Sequence, residues 1–279
     1  MERIGLAPGA EIGGYTVVAP LGAGGMGTVY RAVDGAGNEV ALKLLHPDPG
    51  DSAARARLVR EVAALQRLHH PAVAAVLDAE ADSSDAFIVT ELVDGTDLAR
   101  FVAEHGPLGA VDLLALASGL REALAAVHAA GVVHRDLKPS NVVLTAHGPV
   151  LIDFGLAQAE SDPRLTSTGL VAGTPGYLAP ELLDGDDPGE SADWWGWAAL
   201  LAFAATGRPP FGRGRATTVI ARARAGKPDL TGLGELTRTA IRGALAAEPD
   251  RRTAPDDVVA ALTVVATDGD RMPAPRRPR

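Results

Sequence analysis

"HRDLKPSN", residues His134 to Asn141, sets a carboxylate, an ammonium and a carboxamide within six residues, from Asp136 to Asn141. Phosphoryl transfer needs those three groups. Asp136 can take the proton of an attacking hydroxyl. Lys138 can meet charge developing on a transferred phosphoryl group, and Asn141 can lend a neutral oxygen to Mg²⁺. His134 follows the apolar pair Val132 and Val133 and reads as structural rather than catalytic. "DFG", Asp153 to Gly155, stands twelve residues beyond Asn141. An aspartate there can simply cap a turn. Across a hairpin it can instead converge with Asn141 on one metal, since Mg²⁺ is held by a few protein oxygens together with phosphate oxygens and water.

Two further charges lie upstream. Lys43 ends "VALK" and shares a strand face with Ala41, because side chains alternate along a strand. Read alone, it is a surface lysine at a strand end. Glu61 falls three residues after Leu58 in a helical pattern whose apolar positions include Val62, Leu65 and Leu68. A carboxylate on that face needs a partner, because an unpaired buried charge is costly. Lys43 is the expected partner, with a solvated Glu61 at the rim as the alternative. The pair would hold the Lys43 ammonium against α- and β-phosphate oxygens.

"LGAGGMGTVY" carries glycines at 22, 24 and 27. A dinucleotide-binding turn with this spacing runs straight into a helix and has an acid about 20 residues on. Here the β-forming "TVYRAV" follows, then a "DGAGN" turn. Strand, glycine turn, strand describes a flap whose backbone N–H groups can approach phosphate.

The elements that position these residues are legible in outline. "YTVVAPL", "TVYRAV", "NEVALKLL" and "AFIVTELV" read as strands, with a helix over Ala53 to Leu68. Leu113 to Ala130 is a long amphipathic helix closed by Gly131. "NVVLT" and "VLIDF", separated by "AHGP", form a hairpin signal. Gly155 to Pro175 is irregular, and the rest is mainly helical. A strand-rich lobe thus meets a helix-rich lobe near residues 91–96.

The 279 residues are 47% hydrophobic, enough for a large core, and the absence of cysteine excludes disulfides and thiolate metal sites. The net charge is −9 even though the last nine residues bring four arginines. An acidic body argues against nucleic acid as a partner. No signal peptide is expected at the N-terminus. The most apolar run, Trp194 to Gly207, is fourteen residues long. A membrane span needs roughly 18–20, so a buried helix, no transmembrane segment and a cytoplasmic location are expected.

In their order along the chain, "GAGGMGTV", "VALK", Glu61, "HRDLKPSN", "DFG", "GTPGYLAPE", Asp193 and "PDRR" resemble the eukaryotic-type serine/threonine protein kinases of bacteria. The resemblance covers about Tyr15 to Ala266. It implies an α+β, two-lobed protein kinase fold. A small antiparallel β-sheet N-lobe carries one regulatory helix, and the larger C-lobe is mainly α-helical. The expected organisation is an extension over 1–14, a kinase domain over 15–266 (N-lobe 15–90, hinge 91–96, C-lobe 97–266) and a disordered Pro/Arg tail over 267–279. The cofactors implied are ATP and Mg²⁺, with Mn²⁺ as a substitute, and the partners are protein substrates bearing Ser or Thr.

The resemblance also implies roles. Gly22, Ala23, Gly24, Gly25, Met26 and Gly27 form the lid over ATP. Leu21, Val29, Ala41 and Val143 sandwich adenine. Thr90 is the gatekeeper, Glu91 to Val93 the hinge, and Asp97 the ribose-contacting acid. Leu65, Val76, His134 and Phe154 stack as a spine. Glu181 pairs with Arg252, Asp193 anchors the catalytic loop, and Thr174 contacts Asp136 and Lys138. Arg135 is expected to bind a phosphate on Thr166, Ser167 or Thr168, placed by autophosphorylation; a solvated hydroxyl cluster is the alternative there. Ala198 departs from the family's usual glycine. N-lobe dimerisation is a family habit that nothing in the sequence supports directly. The basic tail reads equally as the start of a juxtamembrane linker or as a natural end, with weak contact to anionic lipid as a further option. Competing readings are an aminoglycoside-type small-molecule kinase, a non-catalytic scaffold and a nicotinamide oxidoreductase. "APE" and the long loop before Thr174 speak against the first, the intact Lys43, Asp136, Asn141 and Asp153 against the second, and the strand after Gly27 against the third.

Overall fold

The structure is a computed structural model that describes residues 6–24, 27–45, 52–80, 86–155 and 174–270. Six strands form the N-lobe sheet: β1 (Glu11–Ile12), β2 (Tyr15–Gly24), β3 (Gly27–Val33), β4 (Glu39–Leu45), β5 (Val76–Glu80) and β6 (Phe87–Glu91). Their order is β1-β2-β3-β4-β6-β5, antiparallel throughout. Alternation sorts the side chains into two faces. On one face, Val40, Leu42 and Leu44 of β4 join Val17, Tyr30, Ala32, Phe87 and Val89 in a buried cluster, covered by Leu6, Ala10, Ile12 and Tyr15. The N-terminal extension therefore lids this face, and β1 extends the sheet. Ala41 and Lys43 are left on the opposite face, toward the second lobe.

Helix α1 (Ser52–Leu65) lies beside β5, and its Val62 and Leu65 enter the same core as the C-lobe. The lobes are further stitched behind α1. There Ala74 N–H donates to the Leu151 carbonyl at 2.9 Å, and Leu151 N–H donates to Ala72 at 2.9 Å.

The C-lobe begins with β7 (Thr96–Asp97), α2 (Leu98–His105) and α3 (Ala110–Ala129). Leu113, Leu116, Ala117, Leu120, Leu124 and Val127 of α3 recur at helical spacing and are buried. The hairpin β8 (Val142–Thr145) and β9 (Gly148–Leu151) completes a three-stranded sheet with β7. Then come α4 (Pro180–Leu183), α5 (Glu190–Thr206), α6 (Ala216–Arg224), α7 (Glu235–Ala244) and α8 (Pro255–Asp268). Helix α5 contains the apolar run and is buried on nearly every side, Ala198 included. Gly207 ends it in the left-handed region at φ 69°. Trp197 Nε1 donates to the Ala117 carbonyl at 3.2 Å, tying α5 to α3. Among the described residues, no helix is long and apolar enough to cross a membrane.

One boundary moves. The expected tail begins at 267, but α8 continues to Asp268, and Asp270 accepts from the first-turn N–H groups of Leu236 and Thr237 at 3.0 Å each. A carboxylate at a helix N-terminus satisfies otherwise orphan donors, which holds this segment in place. Residues 271–279 lie outside the described residues.

Candidate active site

The catalytic loop hangs between α3 and β8. Its apolar residues Val132 and Leu137 are buried, and a short 3-10 turn over Pro139–Asn141 leads into β8. This turn sets Asn141 beside Asp136. Asn141 Nδ2 donates to the Asp136 carbonyl at 2.9 Å and to Asp136 Oδ2 at 3.1 Å. Lys138 Nζ reaches the same oxygen at 2.6 Å. The Asp136 carboxylate is thus oriented by two donors on one oxygen. Asn141 also approaches the Asp153 carbonyl at 3.4 Å, so the β8–β9 hairpin does bring these two residues together.

Two non-glycine residues here have positive φ: Arg135 at 68° and Asp153 at 55°. Such conformations cost about 1–3 kcal/mol each and persist only where surroundings impose them. Asp193, at the start of α5 and 2% exposed, imposes the first. It accepts from His134 N–H at 2.7 Å and from Arg135 N–H at 2.9 Å. A third donor is His128 Nε2 at 2.8 Å, from the last turn of α3. His128 belongs to no motif. Its sequence signal is a titratable side chain next to Val127 near the end of an apolar helix, where a buried imidazole needs a partner.

The ring of His134 is fully buried against Phe154, centroids 4.8 Å apart. Burial pushes its pKa down, the nearby Asp193, Asp136 and Asp153 charges opposing, so the imidazole is neutral. Leu65, Val76 and Phe154 belong to one large buried core.

The pairing of Lys43 and Glu61 expected from sequence does not form. Lys43 Nζ bonds to Asp153 Oδ1. Glu61 is gripped by Arg135, Nη2 to Oε1 at 2.6 Å and Nη1 to Oε2 at 3.0 Å. Glu61 is indeed buried, at 9% exposure, and paired, but with a different cation. The reason is geometric. A guanidinium fork satisfies both carboxylate oxygens at once, whereas an ammonium is a point charge. Arg135 is consequently committed to Glu61.

The residues expected around adenine are placed by strand register in two separate sheets. Val29 stands opposite Lys43, Ala41 opposite Thr90, and Val143 opposite Asp97. Leu21 is half exposed. Glu91 and Val93 follow β6 in the connection between the lobes. Asp97 also caps α2, accepting from Arg100 N–H at 2.9 Å. Gly27 has φ 156°, and a Cβ there would sit 2.2 Å from the Leu44 carbonyl oxygen; a Cβ at Gly22 would meet nothing. Gly25 and Met26 lie outside the described residues, as do Thr166, Ser167 and Thr168. Thr174 is exposed and makes no hydrogen bond to Asp136 or Lys138, which pair with each other.

Away from the cleft, Arg252 and Glu181 form a bidentate pair at 2.8 and 2.6 Å. Arg252 also donates to the Ser191 carbonyl and hydroxyl at 2.8 and 2.9 Å.

A strand-built lobe and a helical lobe, with a carboxylate, lysine and asparagine on the helical lobe's loop between α3 and β8, define a protein kinase catalytic domain. Residues 15–258 match the protein kinase domain family. The chain is 40% identical over 273 residues to the probable serine/threonine-protein kinase PkwA of Thermomonospora curvata, covering 97% of this chain and 37% of that protein. It is 41% identical over 255 residues to the serine/threonine-protein kinase AfsK of Streptomyces coelicolor, covering 90% and 32%. The crystal structure of Rad53 1–466 in complex with AMP-PNP superposes with a TM-score of 0.73 at 25% identity, over 88% of this chain and 64% of that one. The chain belongs to the protein kinase family, among the bacterial serine/threonine kinases, and spans about a third of the length of the two bacterial relatives.

Proposed function

We propose that this domain transfers the γ-phosphoryl group of ATP to serine and threonine hydroxyls of proteins. The observation that carries the reading is the Asp136 carboxylate, steadied by Lys138 and by Asn141, whose amide also approaches the Asp153 carbonyl. Asp136 accepts the hydroxyl proton. Lys138 lies close enough to Asp136 to balance charge on the phosphoryl group as it transfers. The face bearing Val29, Ala41 and Lys43 receives the nucleotide. Gly22 supports this, because packing does not demand glycine there whereas close approach of phosphate to backbone does.

The donor set fits Mg²⁺. Asn141 spends its amide nitrogen on Asp136 and, at longer range, on the Asp153 backbone carbonyl, which leaves its carbamoyl oxygen, met only by the Ser140 hydroxyl at 3.4 Å, as an acceptor. A hard cation takes such oxygens together with phosphate oxygens and water. When bound it supplies charge neutralisation for the phosphates. Asp153 and Asn141 would hold it, and Lys43 would exchange Asp153 for phosphate oxygens. Autophosphorylation at Thr166, Ser167 or Thr168 is part of the same proposal.

The test is incubation with γ-labelled ATP, Mg²⁺ and a general protein substrate, wild type beside Asp136→Asn. We expect label on protein and a loss of at least ~10²-fold in the variant, the lower range for a missing general base. Label appearing on a small aminoalcohol and never on protein would overturn the reading.

A further inference from the structure

Between Gly207 and Pro228 the chain carries six basic residues and no acidic one, although its net charge is −9. This stretch runs from the end of α5 through α6. Among the described residues only two of the six cations meet a carboxylate, Arg208 that of Asp229 and Arg224 that of Asp184. Arg213 and Arg215 are exposed, and neither side chain has a hydrogen-bond or ion-pair partner among the described residues. We infer that Arg213 and Arg215 read acidic side chains of the protein substrate close to the hydroxyl that is phosphorylated. This rests on the kinase reading for the place of that hydroxyl at Asp136, but the preference for acidic chain belongs to the two arginines.

Position separates these arginines from ordinary solvated charge. Val219, on the buried side of α6, faces Gly176, where a Cβ would lie 3.7 Å from it. The next residue, Tyr177, lines one crevice with Arg135, Leu137, Leu178 and Asp193. Leu137 stands between Asp136 and Lys138. Burial pushes the pKa of the Tyr177 hydroxyl up, and the charge of Arg213 opposes that rise. Tyr177 therefore links the catalytic loop on one side to Arg213 on the other. An extended substrate advances about 3.3–3.6 Å per residue, so positions a few residues from an acceptor at Asp136 pass over Tyr177 toward Arg213. The mount is fixed. Phe211 is 1% exposed and stacks on Trp195 of α5, centroids 5.3 Å apart. Arg222 Nη1 donates to the Phe211 carbonyl at 3.0 Å, and Asp229 N–H donates to the Pro210 carbonyl at 2.6 Å. The backbone that presents Arg213 is thus held while its guanidinium stays open to solvent. A guanidinium fork matches a carboxylate, and two within three residues favour an acidic segment over a neutral one. Anionic lipid is the other surface such a basic face could meet, but closeness to the catalytic loop favours a substrate carboxylate.

The test is a set of fluorescent peptides that share one threonine acceptor and carry glutamate, glutamine or lysine at neighbouring positions on one side of it or the other. With wild type, kcat/KM is expected to be at least ~10-fold higher for glutamate than for lysine on one side, a factor equivalent to about 1.4 kcal/mol. The ratio should shrink as salt rises, because exposed charges are screened. In the Arg213→Glu/Arg215→Glu protein the order should invert, lysine over glutamate, whereas mere damage to the fold would slow all the peptides alike. Arg213→Gln/Arg215→Gln serves should the first variant fold poorly, as judged by circular dichroism, and should abolish the preference. Fluorescence anisotropy of the same peptides measures docking without phosphoryl transfer. Equal kcat/KM for the glutamate and lysine peptides with wild type, or a glutamate preference that both arginine variants retain, overturns the inference. So does sedimentation of wild type with phosphatidylglycerol vesicles, lost in the variants, when the peptides are not discriminated; the face then binds lipid. An absence of label on every peptide, with anisotropy still favouring glutamate in wild type and lysine in the Glu variant, overturns the kinase reading instead.

Discussion

Asp193→Asn tests how the catalytic loop is held. The carboxylate accepts three hydrogen bonds, from His134 N–H, Arg135 N–H and His128 Nε2, at 2.7 to 2.9 Å. Asparagine keeps the shape but has one oxygen. If its NH₂ group takes the place of Oδ1, it opposes Arg135 N–H. If it takes the place of Oδ2, it opposes His134 N–H, while the His128 ring can change tautomer and accept. At least one hydrogen bond to a charged acceptor is lost in either case, at about 1.5–3 kcal/mol, and two buried donors are left face to face. A net destabilisation of about 2–4 kcal/mol follows, which a domain of ordinary stability survives. The melting temperature should fall by roughly 4–16 °C, at ~2–4 °C per kcal/mol for a chain approaching this size. Kinetics should change more than stability. Arg135 is no longer held at φ 68°, and the next residue is Asp136; displacing a reacting group by about 1 Å can cost ~10²-fold. We expect kcat to fall by about that factor, with the KM for ATP little changed because the adenine and Lys43 contacts are made elsewhere. Calorimetry and steady-state kinetics on the purified protein decide it. An Asp193→Asn protein that melts within about 1 °C of wild type and keeps its kcat would refute the clamp.

Three further outcomes follow from single contacts. Gly27→Ala places a Cβ against the Leu44 carbonyl at positive φ and should loosen the β3–β4 end at a cost of about 1–3 kcal/mol; Gly22→Ala meets nothing, so any loss it causes should appear in nucleotide affinity and not in urea unfolding. Arg252→Met leaves Glu181 buried without its cation and should destabilise by about 3–5 kcal/mol, with Glu181→Gln in the same chain recovering part of it in chemical denaturation. His134 is neutral in the fold because burial depresses its pKa, so the unfolded chain binds the extra proton first. Stability should then be full above the unfolded value of about 6.5 and fall with decreasing pH, at up to about 1.4 kcal/mol per pH unit; a His134→Leu protein should lack that component in urea melts across pH 7.5 to 5.5.

The element types were largely legible because their periodicities are local. Alternation along "VALK" and "TVYRAV" and the heptad-like spacing of α3 each report a buried face without reference to the rest of the chain. Strand β5 left no such trace. "VLDAE" is short, and a register shift between Val76 and Asp78 breaks its alternation; it is a strand because β6 pairs with it. Helix α3 begins at Ala110, three residues before the first buried leucine, and its N-cap Gly109 offers no side-chain bond to mark the start.

The candidate catalytic residues were legible for a related reason. Asp136, Lys138 and Asn141 lie within one short loop, and chemistry constrains their types whatever surrounds them. The sequence also pointed to Glu61 on a buried helical face in need of a partner, with a solvated carboxylate at the rim as the alternative. It could not determine the partner. Lys43 and Arg135 stand 18 residues before and 74 residues after Glu61, and both are cations of suitable reach. Only the tertiary structure decided between them: Asp193 pins Arg135 where its planar fork meets both Glu61 oxygens, and Asp153 takes Lys43. Periodicity fixes which side of an element is buried, whereas the choice among buried charges is settled by distances between elements far apart in the chain.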